Sequence, residues 1–435
     1  MRRAPALSFL LVTVFLDLLG LGLIVPILPA LMTAVTGDPV TAVTWSGLLG
    51  STYGVLQFAV APLLGRLADR YGRRPVLLVS LGCLGVDWLA HAACPQPWTL
   101  LLFHALAGAF AGTNTVVNAY VADVTPPEGR ARAYGRIGAA AGLGFVAGPV
   151  LGGLLGGIDV RLPFLAAAGL SFADAAYGWF VLPESRPPSA GTAASPRSVL
   201  SSRGVLSPRG VLSPRGVLFL RSGLFPRGVN PVGAIIVVLR RPVLGRLAYA
   251  RLCSDVARMT QQSVWTFFLA YQFRFSTTQA GLVMAAGALA GALFQYRAAG
   301  PIVHRLGDKR AAVTGTLITA AALAGTAMAT TPPTLYLCQA IGVLGSIAGA
   351  AGQSWISRTI HPGEQGTVQG ALTALSALAE AAVPVAAGAA FAWSLTHASP
   401  TLIFAAAATL TAAAAVLQAT TPAPPAVRRS PSSPS

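Results

Sequence analysis

Four ionisable side chains interrupt long apolar stretches of this sequence and are the best candidates for chemistry: Asp17, Asp87, His91 and His104. A charged side chain is costly in hydrocarbon, so each is expected to face a cavity or a partner. Asp87 and His91 share one helix face, where they could share a proton or only form a buried hydrogen bond. Asp17 could instead be an acid at a helix end. His104 could be a working cation or a neutral hydrogen-bonding residue.

A short basic segment, residues 65–75, separates two apolar stretches and is predicted to be a cytoplasmic loop. Its arginines hold it on the cytoplasmic side of a membrane, and its two glycines permit tight turns. The one acid in the segment can pair with a cation or accept from a helix N-terminus, so we expect it to close a gate. The predicted gate residues are Gly65, Asp69, Arg70, Gly72, Arg73 and Arg74.

A weaker copy of this segment spans residues 300–310. Gly300 and Gly307 have the same spacing as Gly65 and Gly72, and His304 stands where the first copy has its acid. A duplicated loop implies a duplicated half, as in membrane proteins built from two parallel repeats.

The composition indicates a membrane protein. The chain of 435 residues is 54% hydrophobic and 10% charged, which excludes an ordinary soluble protein. Its formal charge of +17 would suit nucleic acid, but the arginines cluster in alternate loops, so we expect no nucleic-acid partner. The four cysteines lack metal-ligand spacing, and we predict no metal site. Without a nucleophile triad or a phosphate-binding loop, an enzyme is not expected.

Twelve apolar stretches are long enough to cross a bilayer, and they predict an all-α integral membrane fold. An even number puts both termini on one side, which the arginines make cytoplasmic. We expect an N-terminal six-helix half (1–185), a linker (186–241), a C-terminal six-helix half (242–419) and a disordered tail (420–435). The linker repeats the hexad Arg-Gly-Val-Leu-Ser-Pro, which predicts disorder. The predicted spans are 7–31, 44–64, 76–93, 98–121, 134–157, 162–182, 247–270, 278–299, 311–329, 333–355, 366–393 and 399–418.

The fifth span carries a glycine ladder, Gly144, Gly148, Gly152 and Gly156, with Pro149 inside it. Glycines on one face let a second helix approach closely, and the proline should bend the span. In the seventh span a separate group, Arg251, Asp255 and Arg258, shares one face and is predicted to form a neutralising network.

The gate segment with its copy, the acids and the glycine ladder together resemble the major facilitator superfamily. Within it the chain is most similar to the twelve-helix tetracycline/drug–proton antiporters. The resemblance implies export of a tetracycline-like drug, carried as a divalent-cation chelate, in exchange for protons. It assigns substrate and proton roles to Asp17 and Asp87, and a substrate role to Gln295. His91, four residues from Asp87, joins this substrate set. No cofactor is expected; the implied partners are drug, protons and lipid, and the expected state is a monomer.

The chain departs from this family at positions that bear on the substrate. His104 replaces an arginine, and Gly291, Thr319 and Gly85 replace a histidine, an acid and a polar residue. We expect His104 to act in proton coupling, because its position in the family is a charged one. These departures leave open the export of another drug or of a self-made natural product. Less favoured alternatives are a nutrient facilitator or symporter and a non-transporting scaffold.

Overall fold

The computed structural model describes residues 4–111, 113–125, 127–185, 231–360, 364–397 and 399–422, and these residues form helices with no strand. A helix satisfies its own backbone hydrogen bonds, which hydrocarbon cannot do, so long apolar stretches become helices. Within the described ranges, eight helical segments are long and apolar enough to cross a membrane. A ninth exists if the first two helices, bent by 52° at a short break, count as one span. The predicted all-α membrane fold is confirmed, and these spans are consistent with twelve.

Two compact units divide the chain. The first comprises residues 1–230 together with 275–285, and the second comprises residues 231–274 and 286–435. Most of the predicted linker and tail, residues 186–230 and 423–435, lies outside the described residues. The helices before the linker are α1 Ala4–Ile24, α2 Leu28–Thr36, α3 Pro39–Tyr71, α4 Arg73–Ala93, α5 Pro97–Ala109, α6 Thr113–Val124, α7 Pro127–Ile158 and α8 Leu162–Val181.

The helices after the linker follow the same pattern of long elements with short breaks. They are α9 Pro231–Arg240, α10 Pro242–Gln272, α11 Thr277–Phe294, α12 Gly300–Leu306, α13 Asp308–Met328, α14 Pro332–Gly345, α15 Ile347–Thr359, α16 Gln365–His397 and α17 Leu402–Thr420. A π-helical turn, Gln295–Ala299, joins α11 to α12.

The predicted loop at residues 65–75 is wrong in extent, because α3 continues through Gly65 to Tyr71. The chain breaks at Gly72 alone, which has φ 102° and ψ 159°. Gly307 breaks the second copy with φ 76° and ψ 157°, almost the same backbone shape. Only glycine adopts such dihedrals without strain, which explains why both breaks fall on glycine. Gly65 makes no turn, since one glycine costs a helix only about 1 kcal/mol.

Three predicted spans are interrupted in the structure. The first is divided between α1 and α2, the fourth between α5 and α6, and the tenth between α14 and α15. The eighth instead extends beyond residue 299, through the π-helical turn, to Leu306. Apolar composition alone does not reveal such breaks, because a hydropathy window averages over the residues on both sides of each break.

The glycine ladder brings α7 against α1. A Cβ on Gly148 would lie 2.6 Å from the Gly22 Cα, and Gly144 and Gly152 face the backbone of α1 in the same way. The predicted close approach is therefore present, and α7 runs as one helix through Pro149.

The second unit contains the charged network predicted on α10. Arg251 and Arg258 each approach the Asp255 carboxylate to 3.5 Å, and the Ser376 hydroxyl donates to Asp255 at 2.6 Å. Two opposite charges beside one carboxylate make a polar helix face tolerable inside the unit.

Candidate functional site

A buried carboxylate and two imidazoles meet where α4 packs against α5. Asp87 is fully buried, and the His104 Nδ1 lies 2.8 Å from its Oδ2. The His91 Nδ1 lies 3.3 Å from Asp87 Oδ1 and 2.9 Å from the Asp87 backbone oxygen. The chain turns back between Ala93 and Pro97, so α5 returns beside α4 and brings His104 to the pair. We call Asp87, His91 and His104 the Asp–His–His cluster.

Aromatic rings enclose the cluster. The Tyr53 ring lies 5.0 Å from the His104 ring, and the Phe164 ring stacks on His91 at 5.6 Å with an interplanar angle of 8°. The Trp88 ring meets His91 edge-on at 5.9 Å. This wall holds both imidazoles in place. Asp87 and His91 are buried behind it, while the His104 side chain stays 17% exposed.

The cluster is not fully satisfied by hydrogen bonds. Among the described residues, Asp87 Oδ1 and the neighbouring Trp88 Nε1 are buried without a hydrogen-bond partner. A buried carboxylate oxygen without a donor is unfavourable, so it has capacity for a proton or a cation.

Asp17 lies apart from the cluster on α1 and is partly buried. Within the described residues it makes no hydrogen bond or ion pair, but its charge acts on Tyr53 and Asp174. The charge of Asp87 also acts on Tyr53.

Asp174 on α8 is a buried acid that the sequence analysis missed. It is 2% exposed and accepts a hydrogen bond of 3.1 Å from the Thr13 hydroxyl of α1, while its Oδ2 has no partner among the described residues. Asp174 could have been found in the same way as Asp17, because it too is a single acid in a long apolar stretch.

The gate segment is held by an acid from far along the chain. The backbone N–H groups of Arg73 and Arg74 donate to the Glu184 carboxylate at 2.8 and 3.1 Å. These groups begin α4, where the helix dipole favours a negative charge. The sequence predicts that Asp69 pairs with a cation or accepts from a helix N-terminus. The Asp69 side chain lies outside the described residues, so its partner remains a prediction.

Arginine side chains complete this end of the first unit. The Arg73 Nε lies 3.3 Å from Asp123 Oδ2 at the end of α6. The Arg74 guanidinium donates to the Trp179 backbone oxygen and lies 5.7 Å from the centre of the Trp179 ring. Arg70 is exposed and lies over the ring of its neighbour Tyr71.

The second unit repeats this arrangement with the charges exchanged. Asp308, directly after Gly307, has its Oδ2 3.1 Å from the Arg358 Nε. Asp308 and Arg358 are 50 residues apart, as Arg73 and Asp123 are. A negative charge is favourable at a helix N-terminus. In the second unit this charge belongs to Asp308, the first residue of its own helix, whereas in the first unit the distant Glu184 supplies it. The next residue repeats as well, because Lys309 donates to the Thr421 backbone oxygen at 2.6 Å, as Arg74 does to that of Trp179.

Gln295 belongs to the second unit, whereas the Asp–His–His cluster belongs to the first. It begins the π-helical turn, and its Nε2 donates to the Ser346 backbone oxygen at 3.3 Å. Ser346 also lines a cavity of about 380 Å³ inside this unit, together with Arg251, Asp255 and Thr319. Hydropathy did not predict this polar cavity.

The comparisons with known proteins agree with this architecture. Residues 10–245 and 247–434 match the model of the Major Facilitator Superfamily. The class C tetracycline resistance protein of Escherichia coli is 33% identical over 389 residues, covering 88% of this chain and 89% of that protein. The class G tetracycline resistance protein of Vibrio anguillarum is 32% identical over 385 residues, with 88% and 89% covered.

Solved transporters share the fold at lower identity. The human organic anion transporter MFSD10 superposes with a TM-score of 0.63 at 22% identity, covering 96% of this chain and 100% of its own. A bacterial homologue of the human lysosomal transporter Spinster gives 0.68 at 16% identity, with 96% and 95% covered. On these matches and its helices long and apolar enough to span a membrane, the chain belongs to the major facilitator superfamily and is a multi-pass membrane transporter related to tetracycline resistance proteins.

Proposed function

We propose that this chain exports a tetracycline-like drug or related polyketide from the cell in exchange for protons. The observation that carries the proposal is the buried carboxylate of Asp87, held against two imidazoles and enclosed by aromatic rings. The relatives that are about one-third identical over most of the chain are tetracycline resistance proteins, which supports a substrate of that class.

Asp17, Asp87 and His104 are the proposed coupling residues, and His91 and Gln295 join the two acids in the substrate region. A carboxylate that exchanges a proton inside the membrane changes the free-energy cost of burying its charge, and can therefore bias one conformation of the transporter over another. Both termini are cytoplasmic in this proposal, and the two six-helix halves rock about a site near the midplane.

The gate residues control the cytoplasmic side. Glu184 pairs with the start of α4, and Asp123 pairs with Arg73, so this end of the first unit is fixed by charge-assisted contacts. Asp69 and Arg70 are the other charged residues predicted for this gate. Asp69→Asn keeps the side-chain shape but removes its charge, and we expect it to stop transport while membrane insertion stays normal.

The experiment is transport by purified protein in proteoliposomes with an imposed pH gradient and a small panel of drugs. Tetracycline should drive proton movement in the parent, and both Asp17→Asn and Asp87→Asn should abolish it. Asp159→Asn is the matched control, because Asp159 lies in the exposed turn before α8 and its carboxylate accepts only from the Arg161 backbone N–H among the described residues. Intact proton movement in both acid variants would overturn the coupling assignment. Movement with other drugs but not tetracycline would overturn the substrate class.

A further inference from the structure

We propose that the Asp–His–His cluster is a binding site for one divalent transition-metal ion of the zinc class. This inference goes beyond the proposed function, because it concerns the protein without any drug. Two imidazoles and one carboxylate are a ligand set that binds zinc, cobalt and nickel. The sequence analysis predicted no metal site, since it searched the cysteine spacing and could not see His104 reach Asp87.

The geometry fits an ion with little movement. One ligand atom from each of Asp87, His91 and His104 can be chosen so that all three lie within 4.8 Å of one another. Zinc bonds of about 2.0–2.1 Å place tetrahedral ligands roughly 3.4 Å apart. The observed separation of 2.8 Å from the Asp87 Oδ2 to the His104 Nδ1 would have to widen by about 0.6 Å to reach that spacing.

The surroundings of His91 are those of a metal ligand. Its Nδ1 lies 2.9 Å from the Asp87 backbone oxygen, where an N–H would donate. Metal-bound histidines commonly donate one ring N–H to a backbone carbonyl, which fixes the ring and leaves the other nitrogen for the metal. Stacking on Phe164 holds the ring in the same plane.

Asp87 supplies an independent observation. Its Oδ1 is buried and accepts no well-formed hydrogen bond among the described residues, because the His91 Nδ1, 3.3 Å from it, lies closer to the Asp87 backbone oxygen, at 2.9 Å. A cation at the cluster would satisfy this oxygen and neutralise the carboxylate in the same step.

The ligand set also selects the kind of ion. Magnesium and calcium take six or more oxygen ligands, and the cluster offers a single carboxylate. Three protein ligands leave a fourth tetrahedral position open, which a water molecule or an oxygen of a bound small molecule can fill. The cluster therefore resembles an open zinc site rather than a closed structural one.

The test is direct binding to the full chain, purified in detergent with a histidine-free tag and stripped of metal by a chelator. We expect one equivalent of Zn²⁺ to bind, and one equivalent of Co²⁺ to give the visible bands of a tetrahedral site. Asp87→Asn, His91→Gln and His104→Gln should each weaken binding at least tenfold. His397→Gln is the control, because His397 is exposed and stacks on Trp393.

X-ray absorption of the zinc-loaded parent keeps the proposal testable if a variant fails to fold. A shell containing two imidazoles would support the site, and a shell of oxygen alone or of sulfur would overturn it. Binding that is equal in the parent and in His104→Gln would also overturn it, as would the absence of zinc uptake by the parent. The zinc-binding test contains no drug and is independent of the transport assay. If the protein transports drug but binds no zinc, the zinc site is refuted and the proposed export function stands.

Discussion

Two ion pairs with exchanged charges follow the glycine breaks, Arg73–Asp123 in the first unit and Asp308–Arg358 in the second. They should contribute unequally to the free energy of unfolding. The first prediction uses two double-mutant cycles: Arg73→Gln and Asp123→Asn, singly and together, and the matched cycle Asp308→Asn and Arg358→Gln. Each cycle isolates the interaction within one pair, because changes in the surroundings of each single residue cancel.

The expected magnitudes follow from distance and exposure. At 3.3 Å and an effective dielectric constant near 20, Arg73 and Asp123 attract by about 5 kcal/mol before desolvation is counted. Their side chains are 9% and 28% exposed, so we expect a net coupling of about 1.5–3 kcal/mol, the range of hydrogen bonds to charged groups. In the second pair the Asp308 side chain is 5% exposed but the Arg358 side chain is 50% exposed. Water screens this guanidinium, so we expect a coupling nearer the value of exposed pairs, about 0.2–1 kcal/mol.

The assay is equilibrium unfolding of the purified variants in mixed detergent micelles, followed by tryptophan fluorescence. The coupling in the first unit should exceed that in the second by about 1 kcal/mol or more. Equal couplings, or a larger one for Asp308 and Arg358, would refute the argument that burial sets the difference.

Three further predictions concern single positions, each measured by thermal unfolding in detergent. Glu184→Gln removes the charge at the start of α4 and should cost about 1–2 kcal/mol, with a larger loss for Glu184→Ala; unchanged unfolding would remove this carboxylate as a cap. Gly148→Leu would collide with α1 and should destabilise strongly, while Gly142→Leu should be tolerated, since a Cβ at Gly142 meets no atom within 4 Å; similar losses at both sites would contradict the close contact. Asp38 accepts from Thr41 at the start of α3, which lowers the pKa of the Asp38 carboxyl. Asp38→Ala should therefore lower the melting temperature at neutral pH, and the difference should shrink as the pH falls below the ordinary aspartate value of 3.8; a difference independent of pH would argue against it.

The amino-acid sequence determined the helical membrane fold and the local pairs. Apolar length decides which stretches become spans, and helix periodicity alone places His91 beside Asp87 and both arginines beside Asp255. The glycine ladder indicated a close helix contact in the same way, because the absence of a Cβ is a property of the residue itself.

Only the tertiary structure decided which distant residues meet. His104 joins Asp87 because α5 packs against α4, and Glu184 reaches the start of α4 from 111 residues along the chain. Hydropathy carries no information on such contacts, since they depend on how helices pack and on which backbone groups a helix end leaves without partners. For the same reason the exchange of charges between the two units depends on tertiary contacts, those of Arg73 with Asp123 and of Asp308 with Arg358.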